Sequence, residues 1–179
     1  MSCNSRDDIK TGDLLAWSDY SKEHSTFWLK LVRLATMSEF GHVSVAWRQG
    51  EQLFHVEAVM PFIRVVPVPE GESFFYIPMS RFLKTPPRMS EFFSDKIGQR
   101  YSVLDAVKAY LGIATQRDNN WQCAELSNAF YAEHGVDLGS KAMTPSRVVY
   151  AALDECGASL MRINAIKSCS IGKESNTNG

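Results

Sequence analysis

No stretch of the chain stays apolar for the roughly 20 residues that a membrane helix requires, so the sequence predicts no transmembrane segment. It also lacks an excess of either charge, with 19 Lys and Arg against 20 Asp and Glu. That balance leaves no basic footprint, so no nucleic-acid partner is expected. The first residues, MSCNSRDDIKTGD, have no apolar core of the kind a secretory signal carries. Cysteine is scarce: Cys3, Cys123, Cys156 and Cys169 are the only four. They are too few for a disulfide scaffold and not spaced as zinc ligands. The four histidines show no H-x3-H pair, so neither a metal nor a cofactor is expected. These absences together predict a cytoplasmic protein.

What is present is enough for one domain with a real core. The chain has 179 residues, 45% of them hydrophobic, an ordinary share for a globule of this size. There are no repeats and no internal linker. Residues 1–9 are expected as an N-terminal extension, 10–166 as the domain, and the polar run from 167 to 179 as a disordered tail.

Periodicity assigns the elements. DLLAWSDY reads as a short strand after the turn KTGD. STFWLKLVRLATM carries Trp28, Leu31, Val32 and Ala35 as a helical stripe, capped by Ser25 or Thr26. Lys30 and Arg33 beside that stripe suit a lipid surface, but a core-facing helix is the preferred reading. FIRVVPVP and SFFYIPM are strands, and KTPPRMSEFFSDKIGQR is a connection with one short helix. Three helices follow. SVLDAVKAYLG has Ser102 as cap and Gly112 as stop. NNWQCAELSNAFYAEHG has Asn119 or Asn120 as cap and Gly135 at its end. TPSRVVYAALDECG has Thr144 as cap, Pro145 in the first turn and Gly157 as stop. The expected class is α+β, an antiparallel sheet packed against helices.

GHVSVAWRQGEQLFHVEA reads as one hairpin. Its strands alternate, with Val43, Val45, Trp47, Phe54 and Val56 on one face and His42, Ser44, His55 and Glu57 on the other. A wet polar face is the plain explanation. A turn centred on Gln49-Gly50 offers another: it sets Ser44 opposite His55 and His42 opposite Glu57, with Cβ atoms about 4.5–5.5 Å apart. Such a pair is an imidazole held by a carboxylate, which a general base requires. A bulge at Gly50 shifts that register by one.

The candidate nucleophile is Cys123, placed in the first turn of its helix. Unpaired N–H groups and the helix dipole there favour a thiolate, and the Cys123 amide can face an oxyanion. The plainer reading is a core cysteine, since Cys123, Leu126 and Phe130 share a helical face.

The pieces KTGDLLAW, GHVSVAW, LFHVEAV, IGQRYSVLDAV, WQCAELSNAFYAEHGVDL and TPSRVVYAAL, in that order, resemble the circularly permuted branch of the NlpC/P60 papain-like superfamily. That branch includes YiiX-like proteins and relatives of lecithin:retinol acyltransferase. The resemblance spans about residues 10–155. It implies a papain-like permuted fold with the nucleophile at a helix N-terminus. It implies Cys123 as nucleophile, His42 as base, Glu57 as the orienting acid and Tyr101 near the oxyanion. His55 is the rival third residue, because acyltransferase relatives use a second histidine. Cys123-Ala124 stands where the family often has Cys-Ser, and Val43-Ser44 follows His42 where Val-Gly is frequent.

The implied activity is a cysteine hydrolase of amide (peptide-type) or ester bonds through an acyl-enzyme. The implied substrates are a peptide, a cell-wall peptide or an acyl lipid. Acyl transfer by the same site and a catalytically silent binding module are the competing readings. Trp121 is read as cleft wall, His134 as a structural residue at a helix end, His24 as a loop residue, and Glu125 as solvent-facing or salt-bridged.

Overall fold

The computed structural model describes residues 5–18, 39–101, 121–139 and 144–164. The expected helices at 25–37 and 102–112 lie outside the described residues, as do His24, Cys3, Cys169 and the tail.

Six strands form one antiparallel sheet. They are β1 (Leu14–Trp17), β2 (His42–Gln49), β3 (Gln52–Ala58), β4 (Ile63–Pro67), β5 (Phe74–Ile77) and β6 (Met161–Ile163). The spatial order is β4-β3-β2-β1-β5-β6. Three α-helices are described: α1 (Met89–Phe93), α2 (Cys123–Glu133) and α3 (Pro145–Cys156). Two short 3-10 turns, Arg6–Asp8 and Met79–Phe82, and strand β6 had no counterpart in the sequence reading.

Strand alternation divides the core in two. Leu14, Ala16, Val43, Val45, Val56 and Ala58 meet the helix residues Cys123, Ala124, Leu126, Phe130, Val148 and Val149. The opposite face carries a smaller cluster of Ile9, Leu15, Trp17, Ala46, Val68, Phe74, Tyr76 and Ile163. The polar hairpin residues point to that second face and are not wet: His42, Ser44, His55 and Glu57 are all buried.

The hairpin register differs from the expected one. Gln49 faces Gln52 and Ala46 faces His55, so the turn residues are Gly50 and Glu51. Gly50 has φ +60°, a left-handed conformation that glycine takes without strain. Gln49 would have met that cost at the same position. The turn moves by one residue and every partner by two. A shift of two preserves the face of each side chain, so the polar and apolar sets survive while their pairing changes.

The helices are set by local signals. Thr144 Oγ1 accepts from Arg147 N at 3.3 Å, and Gly157 closes α3 in the left-handed region. Helix α2 starts at Cys123 with Gln122 as its N-cap, later than Asn119 or Asn120 would allow. Tyr131 on α2 donates to Gly12 O at 3.1 Å, and Ser146 on α3 accepts from Phe40 N at 3.0 Å. Both helices are thereby tied to the segments that begin β1 and β2. Asp13 is buried and accepts from Lys10 N at 2.8 Å and Ser80 N at 3.0 Å. Burial raises its pKa against the pull of those bonds.

The segment expected ahead of the domain is docked where it is described. Ile9 is buried. Arg6 donates to the carbonyls of Val68 and Pro69, and Arg48 reaches back to the carbonyls of Arg6 and Ile9.

Candidate active site

The site lies where β2 begins and α2 begins. His42 is the first residue of β2 and Cys123 the first of α2. The Cys123 side chain lies close enough to His42 to act on its protonation. Gln122 makes no side-chain cap bond, so the first-turn amides of α2 keep the anion-attracting character of a helix start.

On the other side of the ring, His42 Nε2 lies 3.0 Å from Glu57 Oε2. Extending the β2–β3 register by one pair puts Ser44 across from Glu57. His42 therefore meets Glu57 on the diagonal, where Cβ atoms are about 7–8 Å apart and long side chains still touch. The pair expected from direct opposition is formed by a different route. The same holds for His55, whose Nδ1 is 2.9 Å from Ser44 Oγ. His55 Nδ1 is 3.9 Å from Glu57 Oε2. Glu57 is thus the carboxylate against His42, and His55 lies beside Glu57 on a serine.

The electrostatics of the three groups diverge. Burial pushes the His42 pKa down. The hydrogen bond and charge of Cys123, then those of Glu57, outweigh burial and raise it to about 9. His42 is an imidazolium at neutral pH. Burial would raise the Glu57 carboxyl, but His42, His55 and Arg64 hold it well below the usual carboxylate range. His55 goes the other way: burial, reinforced by His42 and Arg64 and only opposed by Glu57, lowers it to about 4. The Trp17 ring lies 5.5 Å from the His42 ring and 5.2 Å from that of His55, an apolar wall that sharpens these interactions.

Tyr101 pairs with Trp121 in a short parallel bridge, which sets it beside the residues leading into Cys123. Its amide donates to Pro61 O at 2.9 Å. Trp121 is half-buried and donates from Nε1 to Gln99 Oε1 at 2.7 Å. Glu125 falls in the first turn of α2. His134 is buried at the far end of α2.

Arg64 was missed by the sequence reading. It faces Glu57 across β3 and β4, and its Nε and Nη2 lie 2.8 and 2.7 Å from Glu57 Oε1. The signal was present: Arg64 is the one charge in FIRVVPVP, on the strand next to the acid.

No family model matches the chain, and no curated protein matches it. A solved structure does, the "metalloprotein yiiX from Escherichia coli O157:H7, DUF1105". It superposes with a TM-score of 0.52 at 17% identity, over 73% of this chain and 69% of that one. The α+β fold of this chain is similar to that of YiiX. Among the described residues no helix is long and apolar enough to cross a membrane.

His42, His55 and Glu57 bring ligand-type atoms within 4.8 Å of one another. Strand pairing assembles this cluster. A divalent ion needs neutral imidazoles and a carboxylate with charge to give. Here Glu57 already carries a guanidinium on Oε1.

Proposed function

We propose that this chain is a cysteine-dependent hydrolase of amide or ester bonds, with its site arranged as in the permuted NlpC/P60 papain-like enzymes. The observation that carries the reading is the buried run of contacts from Cys123 through His42 to Glu57. A helix start, an imidazolium and a carboxylate in line are what a thiolate nucleophile requires.

In this reading the Cys123 thiolate attacks the substrate carbonyl carbon, and a C–S bond forms. The Cys123 amide and Tyr101 meet the oxyanion. His42 gives its proton to the leaving amine or alkoxide as the scissile bond breaks. Water then attacks the thioester while His42 takes its proton. The acid product leaves, and the thiolate–imidazolium pair is restored. Glu57 keeps the ring oriented throughout and stabilises its charged form before and after the proton leaves it.

The test is iodoacetamide labelling of Cys123 across pH, on the folded protein and on His42→Ala. Cys123 should label quickly well below pH ~8.5, where a free thiol titrates, and should lose that behaviour without His42. Ordinary thiol behaviour in both folded forms overturns the reading. Cys123→Ala should abolish turnover of peptide or ester substrates with the fold intact. An added amine or lipid acceptor separates transfer from hydrolysis by its product. Prior dialysis against a chelator should leave turnover unchanged.

A further inference from the structure

We infer that Arg64 is a positioning residue of this site: its guanidinium occupies one oxygen of Glu57 so that the other stays turned to His42. The inference rests on the Cys123–His42–Glu57 reading and adds a member to it. The geometry divides the carboxylate between two partners. Both Arg64 contacts, at 2.7 and 2.8 Å, go to Oε1. The His42 contact, at 3.0 Å, goes to Oε2. A carboxylate free to rotate would exchange these oxygens, and the ring it holds would lose its fixed direction.

The placement of Arg64 is that of a support and not of an incidental surface pair. The Glu57 side chain is 1% exposed and that of Arg64 is 44% exposed. The guanidinium reaches a buried charge from the solvent edge, so the anion gains a partner without full desolvation of the cation. Its strand is also anchored. Ile63 N donates to Gln99 O, and Gly98 N donates to Ile63 O, both at 2.9 Å. Arg64 is thereby held next to the segment that leads into Tyr101. Among the described residues the charged and titratable groups acting on Glu57 include His42, His55 and Arg64, and those near His42 include Cys123, Glu57 and His55.

A structural salt bridge and a positioning residue make different predictions. Removing the first lowers stability alone. Removing the second also raises the acid edge of the pH window in which Cys123 is reactive, because a cation is lost and the His42 ring is loosened. Labelling by iodoacetamide from pH 5 to 10 is compared for wild type, H42A, R64Q and R64K. In R64Q the acid edge should rise by about one pH unit, slowing labelling on that limb about tenfold. R64K keeps the cation and should stay within about twofold of wild type. A folded R64Q that coincides with wild type, or a folded R64K that moves as far as R64Q, overturns the inference. If H42A itself coincides with wild type, the parent reading fails instead. Should R64Q not fold, the wild-type protein answers by NMR. The Arg64 Nε–H resonance should titrate together with the His42 ring through their shared carboxylate, and a flat Arg64 resonance overturns the inference.

Discussion

Glu57 carries the site at the scale of single residues. It is buried, charged and shared by His42, His55 and Arg64. Its negative charge is one reason the His42 pKa stands near 9. Glu57→Gln keeps the shape and an acceptor oxygen but removes the charge. The imidazolium then loses stabilisation, so its pKa must fall toward the ordinary 6.5. In the pH profile of turnover, the alkaline edge, where the proton-donating imidazolium is lost, should move down by a unit or more, each unit being about 1.4 kcal/mol of lost interaction. Turnover should fall on the order of a hundredfold, the scale of a misplaced acid–base group. An alkaline edge that stays in place would remove Glu57 from the site. His55 is held neutral near pH 7, with its ring on Ser44. It lacks the charge by which Glu57 acts.

At the scale of elements, the sequence was most informative where a pattern is local. The strand alternation, the Thr144 cap, the Gly157 stop and the helical position of Cys123 are each written in a few adjacent residues. Register is not local in that sense. One turn residue decided whether His42 met Glu57 directly or diagonally, and glycine's tolerance of positive φ settled it. Arg64 escaped notice because its role exists only once β4 has paired with β3. The His42–His55–Glu57 cluster, by contrast, was legible from alternation, which put all three on one face of the hairpin. His134 shows a further gap between the two levels. Its place at a helix end suggested a charge on the dipole. The ring instead uses both nitrogens, Nδ1 at 2.8 Å from Phe130 O and Nε2 accepting from Arg88 N at 3.0 Å. Its carbonyl also accepts from Lys84 N. The end of α2 is thus fastened to the 84–88 segment. His134→Ala leaves the part-buried Arg88 amide without its acceptor, while the Phe130 carbonyl keeps the backbone amide of residue 134, so it should cost about 1 kcal/mol in urea unfolding. Cys123 labelling should be unchanged. A variant of wild-type stability would show the fastening to be idle.

At the scale of the whole molecule, the two site histidines give the fold its own pH dependence. Their pKa values are displaced in opposite directions from the same ordinary value of 6.5, His42 up to about 9 and His55 down to about 4. Folding therefore favours the proton on one ring and disfavours it on the other. His42 contributes stability that is complete below pH 6.5 and is lost as pH rises through about 9. For His55 the unfolded chain binds the extra proton between pH 4 and 6.5. Its contribution is complete above 6.5 and is lost as pH falls through that window. Glu57, depressed below the carboxylate range, adds a further loss only below its ordinary value of 4.5. The limbs meet near the unperturbed imidazole pKa, so stability should peak close to pH 6.5 and fall on both sides, each limb worth on the order of a few kcal/mol. Urea unfolding midpoints from pH 4 to 9.5 trace the dome. His42→Ala should flatten the alkaline limb and leave the acid one. His55→Gln, which can still bond Ser44, should flatten the limb between pH 4 and 6.5. A wild-type profile level across this range would mean that the buried His42–Glu57 contact carries no charge in solution. The thiolate–imidazolium pair at Cys123 would then lose its electrostatic basis along with the stability it was expected to confer.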